Sequence, residues 1–75
     1  MTVTVYSQPG CQPCKATIRM LSRLQIDYVV IDITTNIKAY DYIVALGFKQ
    51  TPVVIADDEV WAGYSPDKIQ RLRGL

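Results

Sequence analysis

Cys11 and Cys14 are the two thiols of a 75-residue chain that contains no histidine. A structural zinc site takes four ligands, usually Cys or His, and this chain cannot supply them without carboxylates. A stabilising staple fits poorly too. Closing a loop of a few residues removes little unfolded-state entropy, and small secreted domains carry more pairs. The spacing Cys11-Gln12-Pro13-Cys14 suits a redox dithiol, in which one thiolate attacks a disulfide and the second thiol resolves the mixed disulfide. Two reduced cysteines that merely pack are the other reading, since free Cys is often buried.

Such a dithiol needs an element that treats its sulfurs differently. Thr2 to Tyr6 alternate with Val3 and Val5 in a β-rich run that ends at Ser7-Gln8-Pro9-Gly10. A helix is predicted from about Pro13 to Leu24, with Cys14, Ile18 and Leu21 on one face, extended by Thr17 and Leu24. Pro13 is tolerated because first-turn amides lack intrahelical partners. Cys11 then lies at the helix N-terminus, where free amides and the positive dipole end favour thiolate. Cys14 sits one turn deeper, on the apolar face, so the spacing predicts an exposed nucleophile and a shielded resolving thiol. Lys15, Arg19 and Arg23 recur on the opposite face, as a solvated basic stripe or as a docking face for an acidic partner.

Ile26 to Ile33 reads as a second strand, whose centre Tyr28-Val29-Val30-Ile31 suits cover on both faces. Thr34, Thr35 or Asn36 can cap a second helix that Gly47 stops, with Ile37, Tyr40, Val44 and Ile43 as its buried face. Pro52 to Ala56 and Glu59 to Ala62 flank Asp57-Asp58 as a hairpin. Ser65 caps a last helix, with Pro66 at its first position, Asp67 complementing the dipole, and Ile69, Leu72 and Leu75 facing inward. The order βαβαββα is an α/β class, the minimal thioredoxin fold: a four-stranded mixed sheet in the order second, first, third, fourth, with three helices.

The whole chain, residues 1–75, is expected to be one domain. Its composition, 49% hydrophobic and 20% charged, is that of a folded globule, and its net charge of +1 gives no strong pull toward nucleic acid or an anionic membrane. No run approaches the ~20 apolar residues of a membrane span, and Met1 to Val5 lack the features of a signal peptide. A cytoplasmic monomer is the expectation.

Two further positions invite a role. Thr51-Pro52 opens the third strand, where a proline needs no amide partner and is ordinary. Trp61 lies on a strand, where tryptophan is more often core than contact.

Several segments resemble glutaredoxins: Val5-Tyr6-Ser7-Gln8-Pro9, the Cys11–Cys14 motif, Ile26-Asp27-Tyr28, Leu46-Gly47-Phe48 and Gln50-Thr51-Pro52-Val53-Val54. The stretch Trp61-Ala62-Gly63-Tyr64-Ser65-Pro66-Asp67 is similar to the Trp-Ser-Gly-Phe-Arg-Pro-Asp segment of NrdH-type redoxins, which are glutaredoxin-like in sequence and thioredoxin-like in activity. The similarity runs from about Thr2 to Ile69. It implies a nucleophile at Cys11, a resolving Cys14, and a cis Pro52 facing the dithiol, with the preceding backbone free to pair with a substrate chain. It implies reduction by thioredoxin reductase, delivery of electrons to a class Ib ribonucleotide reductase, and no cofactor beyond the Cys11–Cys14 disulfide. It places the Trp61 segment, with Gly63 and Tyr64, beside the active site as part of the partner surface. Gln8, Gln12, Pro13, Thr51 and Pro52 complete the candidate contacts, and no residue is assigned to a metal.

Gln8 stands where both groups usually carry a lysine, which removes a cation that glutaredoxins use near the thiolate and glutathione. Ala62 and Ser65 replace a serine and an arginine of the NrdH segment. The alternatives are a glutathione-dependent glutaredoxin and a module in which Cys11 from two chains shares an iron–sulfur cluster completed by external thiols.

Overall fold

Alternating apolar side chains open the chain as a strand, β1 (Val3–Ser7), in which Val3 and Val5 are fully buried. The computed structural model describes residues 2–74. After β1 come α1 (Gln12–Arg23), β2 (Tyr28–Asp32), α2 (Ile37–Ala45), β3 (Val53–Ala56), β4 (Glu59–Ala62) and α3 (Pro66–Arg73). The strands form one sheet in the order β2-β1-β3-β4. The β1–β2 pair is parallel, and the other two pairs are antiparallel. This is the expected thioredoxin-like architecture.

Successive side chains of a strand point to opposite faces, so the register sorts the sheet. Val3 and Val5 lie level with Ala56 and Val54 of β3, and Val54 with Trp61 of β4. These residues form the main core with Leu21 of α1 and Ile69 and Leu72 of α3. Fully burying a leucine or isoleucine is worth roughly 1.5–3 kcal/mol, so Leu21 and Ile69 do much to hold α1 and α3 against the sheet. Tyr6 points to the other face and meets Tyr42 of α2, ring centroids 6.0 Å apart, so α2 covers that side. Burial, and secondarily Tyr42, raises the Tyr6 pKa above its ordinary value.

Two expectations about burial are corrected. Strand β2 is not covered on both faces: it lies at the sheet edge, and Val29 and Val30 are 51% and 44% exposed. An edge strand has a neighbour on one side alone, and the helices pack over the sheet centre. In α2 the buried residues are Ala39 and Ile43, a single i, i+4 pair facing the sheet, while Ile37, Tyr40 and Val44 are exposed. Apolar residues surround this helix, so its composition did not reveal its phase.

The caps are mixed. Asn36 Oδ1 accepts from the Ala39 amide at 3.0 Å and starts α2, and Gly47 follows its end at φ +93°, in the left-handed region that favours glycine. Ser65 occupies the cap position of α3 but makes no side-chain capping bond. Leu75 lies outside the described residues.

Candidate active site

Helix α1 begins one residue earlier than predicted, at Gln12, which makes Cys11 its N-cap. The Cys11 sulfur accepts a hydrogen bond from the Cys14 amide at 3.2 Å, so it stands where a helix leaves its first donors unpaired. Cys11 and Cys14 are joined as a disulfide, their Cα atoms 5.2 Å apart. The turn before them contains Gly10 at φ +75°, a conformation L side chains rarely adopt.

Exposure of the two cysteines is unequal in the expected direction but smaller than predicted. Cys11 is 8% exposed and Cys14 is 1% exposed. The chain before β3 accounts for the cover. Thr51 and Pro52 are buried, and the Thr51 hydroxyl donates to the Cys11 sulfur at 3.4 Å. The Thr51–Pro52 peptide is cis. Cys11 therefore has two donors, one from the helix terminus and one from a loop forty residues away in sequence. A disulfide sulfur is a weak acceptor and a thiolate a strong one, so both contacts favour the charged form of reduced Cys11.

The other candidates divide between surface and core. Gln8, Gln12 and Pro13 are exposed around the dithiol. The Gly63 amide donates to the Pro52 carbonyl at 2.8 Å, which ties the end of β4 to the loop beside Cys11. Tyr64 is exposed, and its hydroxyl donates to Met20 Sδ of α1 at 3.6 Å. Trp61 is not on the surface. It is 5% exposed and packs in the main core, because its register with Val54 turns it toward α1 and α3. Among the described residues its Nε1 has no hydrogen-bond partner, and Lys68 Nζ lies 5.8 Å from the ring centroid.

A feature not singled out from the sequence is a cleft of about 320 Å³ beside Thr51. Its lining combines Gln8, Lys49, Gln50 and Thr51 with the apolar or aromatic side chains of Tyr40, Ile43, Val44, Phe48 and Ile33. The signal was the Phe48-Lys49-Gln50 run before Thr51-Pro52, together with the apolar positions Tyr40, Ile43 and Val44 of α2. Among the described residues no three His, Cys, Asp or Glu side chains gather to hold a metal, and no helix is long and apolar enough to cross a membrane.

Residues 3–61 match the model of the glutaredoxin family. The chain belongs to the glutaredoxin family. Within it, the chain is 39% identical to the glutaredoxin-like protein NrdH of Escherichia coli K12, over 96% of its own length and 89% of that protein's. It is 40% identical to the gene 56 protein of Mycobacterium phage L5, over 93% of its own length and 70% of that protein's. The solved NrdH-redoxin of Escherichia coli, described as glutaredoxin-like with a thioredoxin-like activity profile, superposes with a TM-score of 0.94, covering 96% of this chain and 95% of that one. A glutaredoxin from Archaeoglobus fulgidus, 29% identical, superposes at 0.82, covering 93% of this chain and 83% of that one. This glutaredoxin-like protein is of the NrdH type, and its Cys11–Cys14 pair makes it a thiol–disulfide oxidoreductase.

Proposed function

We propose that this NrdH-type redoxin is a cytoplasmic electron carrier, reduced by thioredoxin reductase and oxidised by a class Ib ribonucleotide reductase. The observation that carries the reading is the likeness to NrdH over nearly the whole chain, at a TM-score of 0.94. In the exchange, reduced Cys11 as thiolate attacks one sulfur of the acceptor disulfide and expels the other as thiolate. Cys14 then attacks the Cys11 sulfur, releases the second acceptor thiol and leaves the Cys11–Cys14 disulfide seen here. Two electrons pass to the acceptor, and its two sulfurs take protons. The reductase returns two electrons to restart the cycle. Thr51 and the Cys14 amide hold the thiolate, and Gln8, Gln12, Pro13, Gly63 and Tyr64 frame the surface that a protein partner meets.

A second reading has one observation in its favour. Glutathione is anionic, and Lys49 lines the cleft beside Thr51, so the cation missing at Gln8 has a substitute nearby. The test is NADPH consumption with insulin as acceptor, comparing thioredoxin reductase with glutathione plus glutathione reductase. Faster turnover with thioredoxin reductase is expected. Faster turnover with glutathione, abolished by Lys49→Gln, would establish the second reading instead.

A further inference from the structure

Beyond the dithiol and its cleft, a row of like charges lies along the outward face of α1. Lys15, Arg19 and Arg23 are all exposed and recur every four residues. The helix contains no acidic residue. Among the described residues the single ion pair joins Arg71 to Glu59 at 3.8 Å, so none of the three has a carboxylate within reach. Arg23, in the last turn, complements the helix dipole, but Lys15 in the first turn opposes it and like charges at i, i+4 repel, so the stability of the helix does not account for the row as a whole. The acidic side chains are elsewhere. Asp57, Asp58 and Glu59 gather at the β3–β4 turn, which the register of β1 with β3 places at the sheet end away from Cys11.

The row has a direction. A helix rises 1.5 Å per residue, so Lys15, Arg19 and Arg23 stand about 6, 12 and 18 Å along the axis from Cys11. An extended chain covers about 3.3 Å per residue, so a polypeptide whose cysteine is attacked at Cys11 brings residues four to six positions away over Arg19 and Arg23. We propose that this row is a docking track for the acidic flank of a polypeptide disulfide, with carboxylates four to six residues from the attacked cysteine. The inference rests on disulfide exchange at Cys11 and narrows its substrate class. A nucleic acid fits less well, since the chain's net charge is only +1 and three cations in a row meet few phosphates.

The test uses the reduced full-length protein and a disulfide-closed peptide carrying three Asp or Glu residues four to six positions from one cysteine. Its analogues carry Lys or Gln at those positions. The second-order rate constant of exchange is read at about 10 mM and about 500 mM salt. At low salt the acidic peptide should react about tenfold faster than the Lys analogue, and the gap should close at high salt. R19Q/R23Q should remove the gap, R19E/R23E should invert it, and R19K/R23K should keep it. Neutral hydroxyethyl disulfide should react at the same rate with all of them. No reaction with that compound in the parent protein would instead be a failure of the oxidoreductase reading, separate from this one. Equal rates for acidic and basic peptides at low salt, or a gap that survives R19Q/R23Q, would overturn the proposal. So would a single-stranded oligonucleotide that slows exchange with the acidic peptide at that peptide's own concentration.

Discussion

At Cys11, two donors meet one sulfur: the Cys14 amide at 3.2 Å and the Thr51 hydroxyl at 3.4 Å. The pair is asymmetric because Cys14 is 1% exposed against 8% for Cys11. Cys11→Ser should abolish disulfide reduction, whereas Cys14→Ser should stall at a mixed disulfide. Mass spectrometry after mixing with a disulfide substrate should find the adduct on the Cys14 variant alone. An adduct forming as fast on the Cys11→Ser protein would reverse the roles. Thr51→Val keeps the shape and removes the hydroxyl. A hydrogen bond of about 0.5–1.5 kcal/mol favours the thiolate, but a more basic thiolate is also more nucleophilic, which offsets part of the loss. Exchange at neutral pH should therefore slow roughly two- to fourfold, and thiolate absorbance of the reduced protein should rise at higher pH than in the parent. The dithiol was legible from spacing alone. The Thr51 hydroxyl was not, because a contact between residues forty positions apart leaves no local mark in the sequence.

Elements were legible where capping and turn residues agree with hydrophobic pattern. Asn36, Gly47 and Pro66 mark helix ends, and Asp57-Asp58 joins a hairpin whose Asp57 has φ +53°. What the pattern misled on was cover. Tyr28 to Ile31 read as covered on both faces, yet in its expected place at the sheet edge it leaves Val29 and Val30 exposed, and α2 hides Ala39 and Ile43 rather than Ile37, Tyr40 and Val44. Both errors concern which faces meet, a tertiary matter that a run of apolar residues does not encode. The turn after β2 has a pH signature. The Asp32 carboxylate accepts from the Thr34 hydroxyl at 2.6 Å and from the Thr34 amide at 2.8 Å. These bonds, the hydroxyl's first, lower its pKa below the ordinary value. A depressed carboxylate stabilises the fold above its unfolded pKa, about 3.9, and that stability is lost as pH falls through the lower folded value. Thr34→Val should move the Asp32 titration upward in carboxyl NMR and shrink the stability lost on acidification. An unmoved titration would mean the hydroxyl contributes nothing.

The whole molecule is a small scaffold, with a radius of gyration of 11.4 Å, on which the site sits at one end of the sheet. Its disulfide closes only the loop from Cys11 to Cys14. By loop-closure entropy that is worth at most about 2 kcal/mol, and the thiolate's place at the helix N-terminus returns about 0.3–1 kcal/mol to the reduced form. Urea unfolding of the two redox states should therefore give stabilities within about 2 kcal/mol of each other, the oxidised form being the higher. The edge position of β2 has a different consequence. Its outer backbone groups are unpaired with any other strand of the sheet, and Tyr28-Val29-Val30-Ile31 is uncharged and rich in β-formers, the pattern of a segment that recruits copies of itself into growing assemblies. In sequence, Asp27 and Asp32 bracket the run and repel a second copy stacking in register. Light scattering of concentrated protein should show Asp27→Asn shortening the lag before aggregation, and Val29→Lys, which puts a charge on a half-exposed position, lengthening it.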